Sequence, residues 1–213
     1  MIGCFCGGLW AAAGYPVTLL GRRRVLDPIA QAGLAVTDFS GLKKAVSAGH
    51  VQCSEDPSVL AGADLVIVAV KTSATAAMGQ QIALHAPPYS PVFSFQNGMG
   101  NATLLQQMLP GRDVRAAMVP FNVVTPEMPA PLSKQMEGQE SSPSGDQSPA
   151  VAQPVFHRAS SGNIVIAAGP GHWGRRLSVP GLAVVESADI SGVQWGKLLI
   201  NLNNALNALS GVP

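Results

Sequence analysis

Charge, aromatic side chains and cysteine are all scarce in this sequence of 213 residues. Charged residues make up 12% of it, about half of the ~25% that is typical of soluble domains. The net charge of +1 excludes a broad positive field of the kind that attracts nucleic acid or acidic membranes. So little charge also suggests a surface that packs against further protein.

Cysteine is too rare for a disulfide framework. Cys4, Cys6 and Cys53 are the three cysteines, and the first two lie too close in sequence to bridge comfortably. Neither these residues nor the four histidines have the spacing of a metal-ligand motif. We therefore expect a protein of the reducing cytoplasm that holds no metal.

The sequence also lacks a long uninterrupted hydrophobic run. It opens with MIGCFCGGLWAAAGYPVTLLGRRR, in which Tyr15-Pro16 interrupts the apolar stretch before it reaches the roughly 20 residues that span a bilayer. One interpretation is a membrane anchor followed by a basic stop. The alternative, which we favour, is a helix from Gly3 to about Ala13, a turn and a buried strand over 17–20, because proline disfavours helical backbone in the residue before it.

Strand-like and helix-like segments then alternate along the chain. The pattern predicts helices over 75–85 and 102–109, and strands over 34–37, 64–70, 92–95, 114–124, 155–158, 163–167 and 182–185. This alternation is typical of an α/β protein with a doubly wound, mostly parallel sheet.

The segment 128–154 interrupts this alternation. It is rich in Pro, Ser, Gln and Glu and has no aromatic residue. Such a composition cannot bury enough apolar surface to offset the entropy of ordering, so we predict a disordered or low-complexity insertion.

Polar residues follow three of the predicted strands: Arg22, Lys71 and Asn97. In a doubly wound sheet, ligands bind beyond the carboxyl ends of the strands, so we expect these side chains to line one binding site. The other explanation is that strand ends meet solvent and are polar for that reason alone.

The C-terminal segment VQWGKLLINLNNALNAL predicts a helix with leucines along one side. Lys197, Asn201 and Asn204 share the other side at helical spacing. Asparagine is a poor helix former, so a cluster of asparagines is costly there unless it binds something. One cation among amides suits an anionic small molecule that carries a hydroxyl or carbonyl group.

Three patches of the sequence belong together: Gly3 with the following VTLLGR, then DLVIVAVK with FQNGMGN, and finally WGKLLINLNNALNAL. In combination they resemble the ketopantoate reductase (2-dehydropantoate 2-reductase) family. The resemblance implies a Rossmann-type NADP-binding domain over 1–127 and 155–190, and the first helix of an all-helical domain over 191–213. It also implies NADPH-dependent reduction of 2-dehydropantoate, a small 2-oxo acid, to pantoate on the route to pantothenate and coenzyme A.

The same resemblance implies roles for the cofactor residues. Gly3 would let the first helix approach the cofactor pyrophosphate, and Arg22 would bind the 2′-phosphate of NADPH. Lys71 would lie near the cofactor, and Asn97 would lie between the nicotinamide and the substrate.

For the substrate, the resemblance implies that Lys197 is the general acid and that Asn201 holds the substrate one turn further along. The family's second helix asparagine would fall at 205, where this sequence has alanine; Asn204 faces nearly the same way and takes its place. We expect Lys197 and Asn97 to face each other across one crevice that admits a nicotinamide ring.

Against the family pattern, the sequence begins after the first strand and the first two glycines of the dinucleotide motif, and it stops early in the helical domain. We therefore expect a fragment with a slot in its sheet and with little turnover. Two alternatives stay open: a reductase of another branched 2-oxo acid, and a catalytically inactive nucleotide-binding or interaction module.

Overall fold

The structure, a computed structural model, describes residues 1–126 and 152–210, with side chains as far as residue 202. Six α-helices are present in the described residues: α1 Ile2–Ala12, α2 Arg23–Ala32, α3 Thr75–His85, α4 Asn101–Met108, α5 Trp173–Leu177 and α6 Ile190–Ser210. The strands in the same residues are β1 Val17–Leu20, β2 Leu34–Asp38, β3 Lys43–Val46, β4 Val51–Ser54, β5 Val66–Val68, β6 Val92–Ser94, β7 Val114–Met118, β8 Val123–Val124, β9 Val155–Arg158, β10 Ile164–Ala167 and β11 Val184–Ser187. The predicted insertion over 128–154 lies outside the described residues apart from its last three.

The strands form three sheets. β1 and β4 are a parallel pair, five strands follow the order β11-β10-β7-β6-β5, and four follow the order β3-β2-β9-β8. β5, β6 and β7 run parallel to one another, and β10 joins β7 antiparallel. The predicted α/β class with mostly parallel pairing is confirmed.

Two of the parallel pairs lie in different sheets. β1 pairs with β4 and β5 pairs with β6, and in the described ranges neither β1 nor β5 has a strand on its other side. The backbone groups along these two edges therefore have no ladder partner there. An open edge on β1 and another on β5 are what the expected slot in the sheet requires.

Two details of the predicted strands are wrong. The stretch 114–124 is not one strand, because β7 ends at Met118 and β8 covers only Val123 and Val124. Pro120 lies between them and cannot donate to a ladder. A single doubly wound sheet is also too simple a description, since the strand predicted over 34–37 pairs with β9 in a separate sheet.

Helix α1 lies at the centre of the larger apolar core. Its residues from Cys4 to Trp10 are all buried. Gly8 permits a close approach to β2, because a Cβ at this position would lie 2.5 Å from Leu34 Cδ1 and 2.6 Å from Val36 Cγ2. The glycine therefore sets the depth at which α1, and with it Gly3, is seated.

Helix α6 packs against β7 and β10. The side that carries Gln194 and Lys197 faces the sheet, whereas Leu199 and Leu202 are 62% and 51% exposed. A membrane-spanning helix would need greater length or hydropathy than any helix in the described ranges has.

Candidate active site

Lys197 meets the carboxyl ends of two neighbouring parallel strands. Asn97 follows β6 and Val119 follows β7, and these strands pair in register. The Lys197 Nζ donates to Asn97 Oδ1 over 2.8 Å, and it also donates to the backbone carbonyl of Val119. The sheet edge thus presents a side-chain oxygen and a main-chain oxygen to one ammonium group.

The predicted opening between Lys197 and Asn97 is closed, because the ammonium donates directly to the carboxamide oxygen. A nicotinamide ring cannot pass between these two atoms, so the predicted gap is absent, although both residues line one crevice as predicted. An ammonium has three N–H donors. Among the described residues, Asn97 and Val119 accept two of them. The third N–H can donate to an oxygen of a bound molecule.

Burial lowers the pKa of Lys197 below the ordinary value of a lysine, because desolvation disfavours the charged ammonium. The two accepting oxygens act in the opposite direction, since hydrogen bonds to the charged form stabilise it. The result is an amine that is held in place and gives up its proton more readily than an exposed lysine does.

Gln194 fastens this part of α6 to the sheet. Its Nε2 donates to the backbone carbonyl of Ala117, in β7, over 3.0 Å. Sequence reasoning missed Gln194, and the only signal was its position three residues before Lys197, which places both on one face of the helix.

A crevice lies beside the Lys197–Asn97 pair, between the loop after β6, the end of β7 and helix α6. Its walls are formed by Gln96, Asn97, Gly98, Met99, Ala117, Met118, Val119, Gln194, Lys197, Leu198 and Asn201. Asn201, predicted to hold the substrate, is exposed on this wall. Asn204 belongs to α6, and its side chain lies outside the described residues.

The start of α1 lies beside the end of β5. A Cβ on Gly3 would lie 3.5 Å from the Cβ of Ala69, two residues before Lys71. Lys71 is exposed, at the start of a short 3-10 turn over Thr72–Ala74. The first amides of a helix have no intrahelical acceptor, so a glycine at this position suits the approach of a phosphate group.

Arg22 is the N-cap residue of α2, directly after β1, and it is exposed. No hydrogen bond in residues 1–126 or 152–202 joins it to the crevice at Lys197. Its position at the end of a parallel strand is where an arginine accommodates the 2′-phosphate of NADP in Rossmann folds.

Glu55 binds Arg23, the residue that follows Arg22. Glu55 Oε1 accepts from the Arg23 amide over 3.0 Å, and Oε2 accepts from Arg23 Nε over 2.7 Å. The sequence gave no sign of this pair, because it depends on the parallel pairing of β1 with β4, which brings the two strand ends together. A carboxylate therefore lies against Arg23, the residue after the Arg22 that was predicted to bind the 2′-phosphate.

Metal-binding chemistry is not indicated. In the part of the chain that the structure describes, no three His, Cys, Asp or Glu side chains cluster closely enough to hold an ion.

Comparisons with known proteins show the family of this chain. The sequence matches the family model of ketopantoate reductase PanE/ApbA over residues 1–133. It is 35% identical over 118 residues to the 2-dehydropantoate 2-reductase of Halobacterium salinarum, an alignment that covers 53% of this chain and 36% of the relative.

Two solved structures have a similar fold. A PanE/ApbA family ketopantoate reductase from Ralstonia eutropha JMP134 superposes with a TM-score of 0.71 at 28% identity, covering 94% of this chain and 58% of that one. D-mandelate dehydrogenase, solved with NADH and anilino(oxo)acetate, superposes with a TM-score of 0.62 at 18% identity, covering 89% of this chain and 55% of that one. The second likeness concerns the fold alone.

The chain spans 36% of the curated relative's length and 58% and 55% of the lengths of the two solved proteins. The family-model match nevertheless covers more than half of this chain. The chain therefore belongs to the ketopantoate reductase family.

Proposed function

We propose that this chain carries the cofactor domain and the catalytic helix of an NADPH-dependent 2-dehydropantoate 2-reductase, which yields pantoate for pantothenate and coenzyme A biosynthesis. One observation supports this most directly: the Lys197 ammonium is held by Asn97 and Val119 on the wall of a crevice. A fixed ammonium with one donor to spare suits the reduction of a ketone.

Lys197 is the general acid in this proposal. NADPH, when bound, supplies the hydride, and negative charge then grows on the ketone oxygen. The spare N–H of Lys197 stabilises that charge and delivers the proton. Asn97 holds the ammonium in place and borders the nicotinamide, and Asn201 binds the substrate from the same wall. Asn204 assists on the same helix.

The cofactor residues are Gly3, Lys71, Arg22 and Asn97. The first amides of α1 and the glycine at position 3 support the pyrophosphate, with Lys71 beside them. Arg22 takes the 2′-phosphate. These assignments favour NADPH over NADH.

The division of the chain follows from these roles. Residues 1–127 and 155–190 form the dinucleotide-binding domain, 128–154 are an insertion, and 191–213 begin the helical domain. We place the reaction in the cytoplasm, where the thiols of Cys4, Cys6 and Cys53, all unpaired, remain reduced.

The test is NADPH oxidation in the presence of 2-dehydropantoate, by this chain of 213 residues and by a version extended at both ends to the family length. We expect turnover that Lys197→Ala removes and that Lys43→Ala, an exposed lysine of β3, leaves unchanged. Equal rates in Lys197→Ala and wild type would exclude the proposed acid. NADPH binding without turnover in the extended version would support the inactive module, and faster turnover of another branched 2-oxo acid would reassign the substrate.

A further inference from the structure

Three buried polar residues lie beneath the loop that carries Asn97. Thr75, Gln96 and Asn101 are 0%, 5% and 3% exposed. They come from the first turn of α3, the segment after β6 and the first turn of α4. Buried polar side chains need hydrogen-bond partners, and Thr75 provides one for each of the other two residues.

The hydroxyl of Thr75 is the centre of this network. Its Oγ1 accepts a hydrogen bond from Gln96 Nε2 over 2.7 Å and donates to Asn101 Oδ1 over 3.1 Å. One hydroxyl therefore fixes the orientation of both carboxamides, since each amide has distinct donor and acceptor ends.

The remaining polar atoms of Gln96 are also bonded. Its Nε2 donates to the Val70 carbonyl at the end of β5 over 3.1 Å, and its Oε1 accepts from Ser94 Oγ over 2.9 Å. The network thus ties the segment that precedes Lys71 to the segment that precedes Asn97.

Asn101 carries the network to the crevice. Its Nδ2 donates to the backbone carbonyl of Asn97 over 3.0 Å and to Thr72 Oγ1 over 3.3 Å. Asn97 is the residue whose side chain accepts from Lys197. A fully bonded polar network is rigid, so the position of the Asn97 backbone depends on these contacts.

We propose that Thr75 is a positioning residue for the reaction: through Asn101 and Gln96 it holds Asn97 where its carboxamide accepts from Lys197. Thr75 does not line the crevice, so it acts through other residues and touches no reacting atom. The kinetic consequence rests on the proposed function, whereas the structural consequence for Lys197 does not.

The experiment compares three variants in the full chain. Thr75→Val keeps the shape of the side chain and removes both hydroxyl contacts, and Thr75→Ser restores the hydroxyl. Thr18→Val is the matched control, because Thr18 makes one exposed side-chain bond to Gln52 in the β1–β4 pair.

The first measurement is the labelling rate of Lys197 by an amine-reactive reagent in the ligand-free chain, read by peptide mass spectrometry relative to Lys43. We expect Thr75→Val to label Lys197 faster, because Asn97 no longer restrains the ammonium, and Thr75→Ser and Thr18→Val to label it as wild type does. An unchanged ratio of the Lys197 and Lys43 labelling rates in folded Thr75→Val would overturn the proposal, whether or not the chain is an active enzyme.

The second measurement separates kcat from KM in the extended, active version. Displacing a catalytic group by about 1 Å costs up to about a hundredfold in rate, so we expect Thr75→Val to lower kcat by about tenfold or more with the KM for NADPH within about twofold. An equal loss in Thr18→Val, or no recovery in Thr75→Ser, would overturn the proposal. A wild type without turnover would refute the proposed function and leave the labelling result to decide the role of Thr75.

If Thr75→Val does not fold, Thr72→Val replaces it in the labelling experiment. Thr72 is exposed and makes only the outermost bond of the network. We expect faster labelling of Lys197 in this variant as well, by a smaller factor, and an unchanged ratio would again count against the proposal.

Discussion

Lys197 and Asn97 lie 100 positions apart in the sequence, yet the Lys197 ammonium donates to the Asn97 carboxamide oxygen over 2.8 Å. The contact joins α6 to the loop after β6, and the bond from Gln194 to β7 supports it from the same face of the helix. An ammonium group of a helix is therefore held by the edge of a sheet. Substitutions at this contact should change the rate of reduction more than they change the free energy of unfolding.

The rate of reduction should fall as the pH rises through the pKa of Lys197. A general acid must carry its proton, and an ammonium is protonated below its pKa. Because burial lowers the pKa of Lys197, the fall should occur at lower pH than for an exposed lysine. The measurement is kcat against pH in the extended version.

The variant Asn97→Ala tests whether Asn97 stabilises the charged form of Lys197. The variant loses an oxygen that stabilises the ammonium, so the midpoint of the fall should move to still lower pH. A midpoint that stays in place, or one that moves upward, would show that Asn97 does not act on the charge of Lys197.

Arg22→Ala should weaken the binding of NADPH by about tenfold or more and leave the binding of NADH nearly unchanged. A hydrogen bond to a charged group contributes about 1.5–3 kcal/mol, and only NADPH carries the 2′-phosphate. The measurement is a fluorescence titration of each cofactor without substrate. Arg175→Ala, an exposed arginine of α5, is the control, and an equal loss for both cofactors would argue against this role for Arg22.

Glu55→Gln should tighten the binding of NADPH relative to NADH, by about three- to tenfold. Glu55 is held by Arg23, and the hydrogen bonds from the Arg23 side chain and amide lower the pKa of the carboxyl, so it is charged at neutral pH. Removing this charge frees Arg23 for the phosphate and removes a repulsion. Weaker NADPH binding in the variant would mean that Glu55 orients the arginines instead of competing with the phosphate.

Four of the six helices in the described residues and most strands could be predicted from the sequence, because apolar runs, prolines and glycines act locally; α2 and α5 were missed. The strand over 92–95 and the helix over 75–85 are examples, and β6 and α3 match them closely. The 114–124 stretch was predicted as one strand because its apolar composition outweighed Pro120 in the pattern. β7 ends at Met118, two residues before a proline that has no N–H to donate to a ladder.

The candidate site was only partly predictable. The ends of parallel strands drew attention to Lys71 and Asn97, and helical spacing drew attention to Lys197. The partners of these residues depend on strand pairing and on side-chain contacts between distant segments, and periodicity carries no information on either. Glu55 and Thr75 were missed for this reason.

Acid should destabilise the chain through the Asp38–Arg158 pair, in which Arg158 donates to Asp38 Oδ2 over 2.6 Å. Burial raises the pKa of Asp38, but hydrogen bonds from Ser40, Leu42 and Arg158 outweigh it and lower the pKa to about 2. A carboxyl whose pKa is lower in the folded state than in the unfolded state stabilises the fold at pH values above its unfolded pKa, which is near 3.8. That stabilisation is lost as the pH falls toward 2.

The measurement is the free energy of unfolding by urea between pH 5 and about pH 2. Asp38→Asn should be less stable at neutral pH, because a nearly buried Arg158 loses its carboxylate, and it should lose part of the acid dependence. Asp27→Asn, an exposed position on α2, should keep the wild-type dependence. An unchanged slope in Asp38→Asn would show that other carboxyls account for the acid sensitivity.

Gly8→Ala and Gly3→Ala should differ in their effect on stability, although both replace a glycine of α1. At position 8 the new methyl group would lie 2.5 Å from Leu34 Cδ1, and overpacking of this kind costs about 1–3 kcal/mol. At position 3 it would lie 3.5 Å from Ala69 Cβ, an ordinary contact, and alanine favours a helix by up to about 1 kcal/mol over glycine.

We therefore expect Gly8→Ala to lower the free energy of unfolding, and Gly3→Ala to preserve it while weakening the binding of NADPH. Urea unfolding and cofactor titration on the same samples separate the two effects. Gly3→Ala with wild-type affinity would show that the cofactor pyrophosphate does not approach the start of α1. Gly8→Ala with wild-type stability would show that α1 can shift away from β2 without loss, and the seating of Gly3 beside Ala69 would then not depend on that close approach.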